Sequence, residues 1–274
     1  MEHLEGRQSV LAALRVGTRK FQAVLISHGA HEEKVQDVMD LAAERGVPVR
    51  RADSRELDAI AHGSSHGGVV AVCSAKPRTS PAELAELLAA LKAPPLLLLL
   101  EGVEHARNLG FTLRSAEALG VHAVMIKKHL WDLDPVEIAR PASGAFERMP
   151  LVQVEDVAVL TGLQRQGIKL YGCLAGVRRT MYETDLAVGC ILAIGGEKRG
   201  LSGAVRSICD AFLTVPARAE ASSSLSLSHA SAIVMAEAMR QRAFAPRDTA
   251  VPAVRGDMRS EGPMNPTMPE DESG

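Results

Sequence analysis

The chain has 274 residues, 46% hydrophobic and 23% charged, the ordinary make-up of a soluble globular protein with room for one or two domains. Five Phe, two Tyr and one Trp are too few to build an aromatic platform for stacking nucleic-acid bases. A formal charge of −2 excludes a broadly basic surface, so any nucleic-acid site has to be a local patch.

Helix and strand signals alternate over residues 1–77, a small α/β unit. The spacing of Val10, Leu11 and Leu14 predicts a helix over 5–16. A short apolar strand at 23–27 follows, then a helix over 32–45 with Val35, Val38, Leu41 and Ala42 on one face. A weak strand at 47–50, a short helix at 55–61 and a β-branched strand at 69–74 complete the unit. Residues 78–95 read as a linker with a helix over 82–92, N-capped by Ser80 and striped by Leu84, Leu87, Leu88 and Leu91.

A second α/β domain is predicted over 96–245. The continuous apolar run 96–100 is the signature of a strand buried on both faces. Helix 109–119, strand 123–126, helix 157–166 and strands 168–171 and 190–194 come next. Helix 201–208, strand 211–215 and a long helix over 228–242 end the domain. This alternation predicts a mostly parallel sheet covered by helices. Pro, Gly, Ser and acids then replace the apolar pattern, and 246–274 reads as a disordered acidic tail.

Cys73, Cys173, Cys190 and Cys209 form no C-x-x-C pair and have no histidine at zinc spacing. Buried reduced thiols in a reducing cytoplasm are expected, with no metal. The start Met1-Glu2-His3-Leu4-Glu5 is unlike a signal peptide, and 96–100 is too short to cross a bilayer.

Common nucleotide fingerprints fail. No G-x-G-x-x-G follows a strand. Residues 195–200 have P-loop glycine spacing, but Leu201-Ser202 stands where Lys-Ser/Thr is needed. Gly63-Ser64-Ser65-His66-Gly67 matches G-x-S-x-G but leads from a helix into a strand, the wrong context for a nucleophile elbow.

Three segments stand out at strand ends, where open α/β sheets place ligands. They are 101–116, which begins at Glu101 and holds Asn108-Leu109-Gly110-Phe111-Thr112-Leu113-Arg114-Ser115-Ala116; Ile194-Gly195-Gly196-Glu197-Lys198-Arg199-Gly200-Leu201-Ser202, running on to Asp210; and Val215-Pro216 followed by Ser222-Ser223-Ser224-Leu225-Ser226-Leu227-Ser228. In this order they resemble the SpoU (TrmH-type) RNA ribose 2′-O-methyltransferases of the SPOUT superfamily. Gly6-Arg7-Gln8-Ser9 and His66-Gly67-Gly68-Val69 are similar to that family's L30e-like substrate-binding domain. The resemblance spans about residues 3–245. It implies a small L30e-like α/β domain followed by an α/β-knot domain with a trefoil knot and a mostly parallel sheet. It also implies S-adenosylmethionine as methyl donor, a homodimer, and RNA as substrate, with large-subunit (23S) ribosomal RNA preferred. A transfer-RNA substrate, or a weakly catalytic RNA-binding or assembly role on the same fold, stays open.

Arg114 is the leading catalytic candidate; as a permanent cation it suits phosphate clamping better than proton abstraction. Asn108 reads equally as a helix N-cap and as a catalytic-loop residue. Glu197 is either a first-turn acid or an active-site carboxylate. Gly195, Val215, Leu225 and Ser224 match cofactor-binding positions of the family. Ser226 stands where the family has Asn, and a hydroxyl is shorter and lacks the amide's second polar group. His229 is an unexplained polar residue beside it. On the first domain Arg7, together with Arg15, Arg19 and Lys20, reads either as a solvated face or as an RNA contact.

Overall fold

The computed structural model describes residues 1–127, 132–196, 198–218 and 225–244. The predicted disordered tail lies outside these residues.

Four strands near the N-terminus, β1 (Glu2–Glu5), β2 (Phe21–Ser27), β3 (Val49–Ala52) and β4 (Val69–Cys73), form a sheet in the order β1-β4-β2-β3. Only β2 and β3 run parallel. Helices α1 (Arg7–Val16), α2 (Glu32–Glu44) and α3 (Ser54–Ile60) accompany them. The predicted helix from residue 5 starts two residues later, because Glu2–Glu5 extends to pair antiparallel with β4. α2 keeps Val35, Val38 and Ala42 buried, as its spacing requires.

The chain then enters α4 (Pro81–Ala90) through a capping box: Ser80 Oγ accepts from Glu83 N, and the Glu83 carboxylate accepts from Ser80 N. Of the predicted leucine stripe only Leu84 is fully buried.

The second sheet starts with β5 (Leu96–Leu100), five buried leucines. Its other elements are α5 (Ala106–Ala118), β6 (Ala123–Lys127), α6 (Pro135–Ala142), α7 (Ala145–Arg148), β7 (Leu151–Val154), α8 (Ala158–Arg165), β8 (Lys169–Cys173), β9 (Cys190–Ile194), α9 (Gly203–Arg206), β10 (Ala211–Leu213) and α10 (Leu227–Ala243). The six strands run parallel in the order β10-β8-β9-β5-β6-β7. Alternate residues of β5 separate onto the two faces: Leu96, Leu98 and Leu100 join one core cluster, Leu97 and Leu99 the other. β9 divides in the same way, Leu192 to the first cluster and Ile191 and Ala193 to the second.

Two helices and one strand, α6, α7 and β7, have no counterpart in the sequence pattern. Pro141 sits inside α6 and interrupts any simple reading of it as a helix. α6 nonetheless packs closely on α5, because Gly110 has no side chain. A Cβ there would lie 2.3 Å from the Ile138 carbonyl oxygen and 2.5 Å from Pro141 Cγ.

One core cluster runs through both sheets, from Leu4, Val10 and Val69 to Leu98, Leu113 and Val234. Buried charge reinforces that junction. Arg19 donates to both oxygens of Glu147 at 2.8 Å, and both side chains are 1% exposed. It also donates to Glu2 and to the Ser74 carbonyl. Arg19 is therefore not part of an RNA-facing basic surface, as one sequence reading had it. Burial works against its charge, and the Glu147 carboxylate outweighs burial and holds the guanidinium firmly protonated. A second link joins Arg140 of α6 to Glu5 of β1.

Candidate active site

The strand order places β5, β9 and β8 side by side, and the segments leaving their C-terminal ends meet in one crevice. There Cys173, Leu174, Ile194, Gly195, Val215 and Leu225, among others, enclose a cavity of about 290 Å³. Gly195, Val215 and Leu225, read from two motifs, share this wall. Leu174, Thr214, Leu227 and Ala230 also line it and were missed. Nothing in a bare apolar pattern separates such wall residues from ordinary core.

Beside the cavity, in the 195–200 turn, Gly195 and Gly196 let backbone segments approach each other closely. A Cβ on Gly195 would lie 2.2 Å from the Gly200 carbonyl carbon, and one on Gly196 would lie 2.2 Å from the Gly102 carbonyl oxygen. The cavity wall is mainly apolar side chains, with glycine backbone and Thr214 as its polar parts. That combination suits a flat heteroaromatic ring bearing polar edges, as in an adenosine. The Cys173 thiol borders the space, but burial pushes its pKa up, so it stays protonated and unreactive.

Behind this turn Glu101 and Ser202, which lie inside the first two segments but carry no role in the sequence reading, form a network. Glu101, the first residue after β5, is 3% exposed. It accepts hydrogen bonds from Ser202 N at 2.8 Å and Ser202 Oγ at 3.0 Å, and it pairs with Lys127 at the end of β6. Ser202 in turn N-caps α9 through Val205 N. The available signal was a carboxylate placed directly after five leucines.

Asn108 lies inside the first turn of α5, whose N-cap is His105, so it is not the cap itself. It borders a smaller cavity with Gly102, His105 and Leu227. Leu227 is shared with the larger cavity, which puts Asn108 beside the candidate cofactor space. Arg114 stands on the exposed face of α5, outside the lining of both cavities. Among the described residues it makes no hydrogen bond or ion pair. Exposed Phe111 is one turn away from it. The arginine is thus free to meet an anionic ligand.

Ser226 caps α10, accepting from His229 N at 3.4 Å. Its hydroxyl also lies 2.6 Å from His229 Nδ1 and 3.1 Å from Ser228 Oγ. Glu197 and Ser224 lie outside the described residues. Arg7, on α1, is bound to Asp37 of α2 by two hydrogen bonds of 3.1 and 2.5 Å. It stands at the first sheet, away from both cavities.

Comparison with known proteins agrees with this layout. Residues 95–236 match the model of the SpoU rRNA Methylase family, and residues 3–79 match the model described as RNA 2'-O ribose methyltransferase substrate binding. A 23S rRNA (guanosine-2'-O-)-methyltransferase RlmB of Pseudomonas putida is 36% identical over 244 residues, covering 88% of this chain and 97% of the relative. Its counterpart in Xanthomonas axonopodis pv. citri is 33% identical over 238 residues, 86% of this chain and 95% of the relative. Among solved structures, the SpoU methyltransferase AviRb of Streptomyces viridochromogenes shares the fold. Its TM-score is 0.73 at 24% identity, covering 88% of this chain and 90% of that one. With the family model matching over half of the chain and relatives 33–36% identical along most of it, the chain belongs to the SpoU rRNA Methylase family.

Proposed function

We propose that this protein transfers a methyl group from S-adenosylmethionine to the ribose 2′-hydroxyl of a guanosine in 23S ribosomal RNA. The observation that carries the reading is a cavity at the C-terminal ends of β8 and β9. Residues of the second and third family motifs, Gly195, Val215 and Leu225, wall it together, and Asn108 of the first adjoins it. The RNA and nucleoside come from the relatives, which align with the chain over 86–89% of its length.

When bound, the cofactor supplies an electrophilic methyl group on a sulfonium. Gly195 and Gly196 would receive its adenosine against backbone, with Val215, Leu225 and Leu174 closing on the ring. Arg114 would hold the phosphate beside the acceptor ribose and so fix the attacking hydroxyl in line. Asn108 and Ser226 would orient that hydroxyl by hydrogen bonds. The sheet carried by 1–77 is read as the substrate-binding domain, 78–95 as the linker and 96–245 as the methyltransferase domain. Arg7 contributes to RNA only if its bond to Asp37 opens. The reading includes a trefoil knot in the second domain, a homodimer whose two sites each draw on both copies, and action in the cytoplasm.

The test is transfer of tritiated methyl groups to unmethylated 23S rRNA, with the labelled nucleotide mapped. Wild-type protein labels a guanosine 2′-oxygen. Arg114→Ala abolishes labelling while cofactor binding by calorimetry is kept. Labelling by Arg114→Ala at the wild-type rate would remove Arg114 from the mechanism. No labelling by wild type overturns the function.

A further inference from the structure

The start of α10 holds a side-chain pair that the cavity walls do not account for. Ser226 Oγ and His229 Nδ1 are 2.6 Å apart, a short contact for an O–H and an imidazole nitrogen. The same oxygen meets Ser228 Oγ at 3.1 Å. Among the described residues His229 Nε2 has no partner. The imidazole is exposed, so packing does not explain its place, whereas Ser226 is half-buried. Leu225 and Leu227, on either side of Ser226, line the larger cavity, and Leu227 adjoins Asn108.

A serine hydroxyl has one proton and turns freely about its C–O bond. Alone beside a cavity, it would present a donor at one moment and an acceptor at the next. The imidazole removes that freedom. With Nδ1 unprotonated, Ser226 donates its proton to Nδ1 and turns a lone pair outward. With a proton on Nδ1, the imidazole donates to Ser226 Oγ and the serine proton turns outward instead.

We propose that His229 is a positioning residue for the methyl-transfer reaction, fixing the Ser226 hydroxyl so that it accepts from the substrate hydroxyl. Ser226 and His229 then act as one polar unit. A single carboxamide provides the same fixed acceptor and donor, and Asn is also a favoured N-cap. This rests on the RNA-methyltransferase reading above.

The test compares full-length wild type with His229→Ala, Ser226→Ala, the double alanine variant and Ser226→Asn/His229→Ala. Each is assayed for kcat and KM with tritiated S-adenosylmethionine and a 23S rRNA transcript. Melting temperature reports the helix cap separately, and nitrogen NMR of the His229 ring reports the Ser226 bond. Loss of His229 is expected to lower kcat about tenfold or more with KM for RNA changed less than about threefold. The double alanine variant should be no slower than Ser226→Ala, because the two groups work as one. Ser226→Asn should restore most of the activity that His229→Ala loses. The His229 Nδ1 resonance should move on Ser226→Ala. A wild-type kcat in His229→Ala, or single losses that multiply in the double variant, overturns the pair. Wild-type protein that labels no RNA overturns instead the function on which the pair rests.

Discussion

Glu101 and Ser202 meet across the crevice although they are 101 residues apart: the carboxylate accepts from both the Ser202 N–H and its hydroxyl, at 2.8 and 3.0 Å. The bond ties the end of the glycine turn to the end of β5. Glu101 also faces Lys127, which is one-third exposed. Glu101→Gln replaces one acceptor oxygen by a donor and leaves Lys127 without its counter-charge. Unfolding free energy should fall by about 2 kcal/mol, below the figure for a fully buried pair because Lys127 touches solvent. S-adenosylmethionine affinity should fall in parallel, since the loosened turn forms the cavity wall. Denaturant titration and calorimetry measure the two effects. Loss of stability with unchanged affinity would show that the turn holds itself.

The glycines of that turn are separable from glycines nearby. Gly195→Ala and Gly196→Ala each place a methyl group within 2.2 Å of backbone and should abolish cofactor binding. Gly203→Ala, also in the 195–206 stretch, meets nothing within 4 Å and should bind as wild type does. Calorimetry on the three purified variants decides it. Equal behaviour of Gly195→Ala and Gly203→Ala would mean that the close approach of Gly195 and Gly200 is not needed.

The Arg19–Glu147 pair joins the first sheet to α7. Glu147→Leu leaves a guanidinium that is 1% exposed without its main partner, and should cost about 3–5 kcal/mol. Arg19→Met with Glu147→Leu removes both charges and should recover most of that loss, because desolvation no longer has to be offset. Urea unfolding of both variants is the measurement. A double variant as unstable as Glu147→Leu alone would mean that the remaining bonds of Arg19, to Glu2 and Ser74, hold the junction.

What the sequence makes legible divides along a physical line. β5 and β9 are readable because a strand buried on both faces has to be apolar throughout. Ser80 is readable as an N-cap because its partner, Glu83, is three residues away. The functional motifs are readable because glycine, asparagine and arginine at fixed offsets within one loop or helix turn are local features. Arg19 could not be read, since its burial depends on a glutamate 128 positions later. Glu101 depends in the same way on Ser202. β1 is a polar stretch whose strand character comes wholly from pairing with β4, and α6 hides its helix behind Pro141. His229 is visible beside Ser226, but that its ring nitrogen meets the serine hydroxyl depends on the side-chain rotamers of the two.

The second junction between the sheets should be sensitive to pH. His62 Nδ1 lies 3.0 Å from Glu5 Oε1, and its Nε2 lies 3.1 Å from Asp134 Oδ2. The Glu5 bond, with the Asp134 and Glu5 charges, raises the imidazole pKa, outweighing burial and the Arg140 charge, which lower it. Glu5 moves the other way. Burial alone would raise its pKa, but the His62 N–H and the Arg140 guanidinium together bring it below the usual carboxylate value. For His62, a raised folded pKa means that its contribution is complete below the unfolded value of about 6.5. It is lost as pH rises through the folded value. For Glu5, a lowered folded pKa means a contribution complete above the unfolded value of about 4.3, lost as pH falls through the folded one. Both contributions are therefore present together at about pH 5 to 6. Wild type should melt above His62→Gln in that window, and the gap should close as the buffer is taken to about pH 8.5. Thermal melting of both proteins across the range is the check. A gap of constant size from pH 5.5 to 8.5 would mean that the imidazole charge plays no part in holding α6 and β1 together, and that Arg140 alone neutralises Glu5.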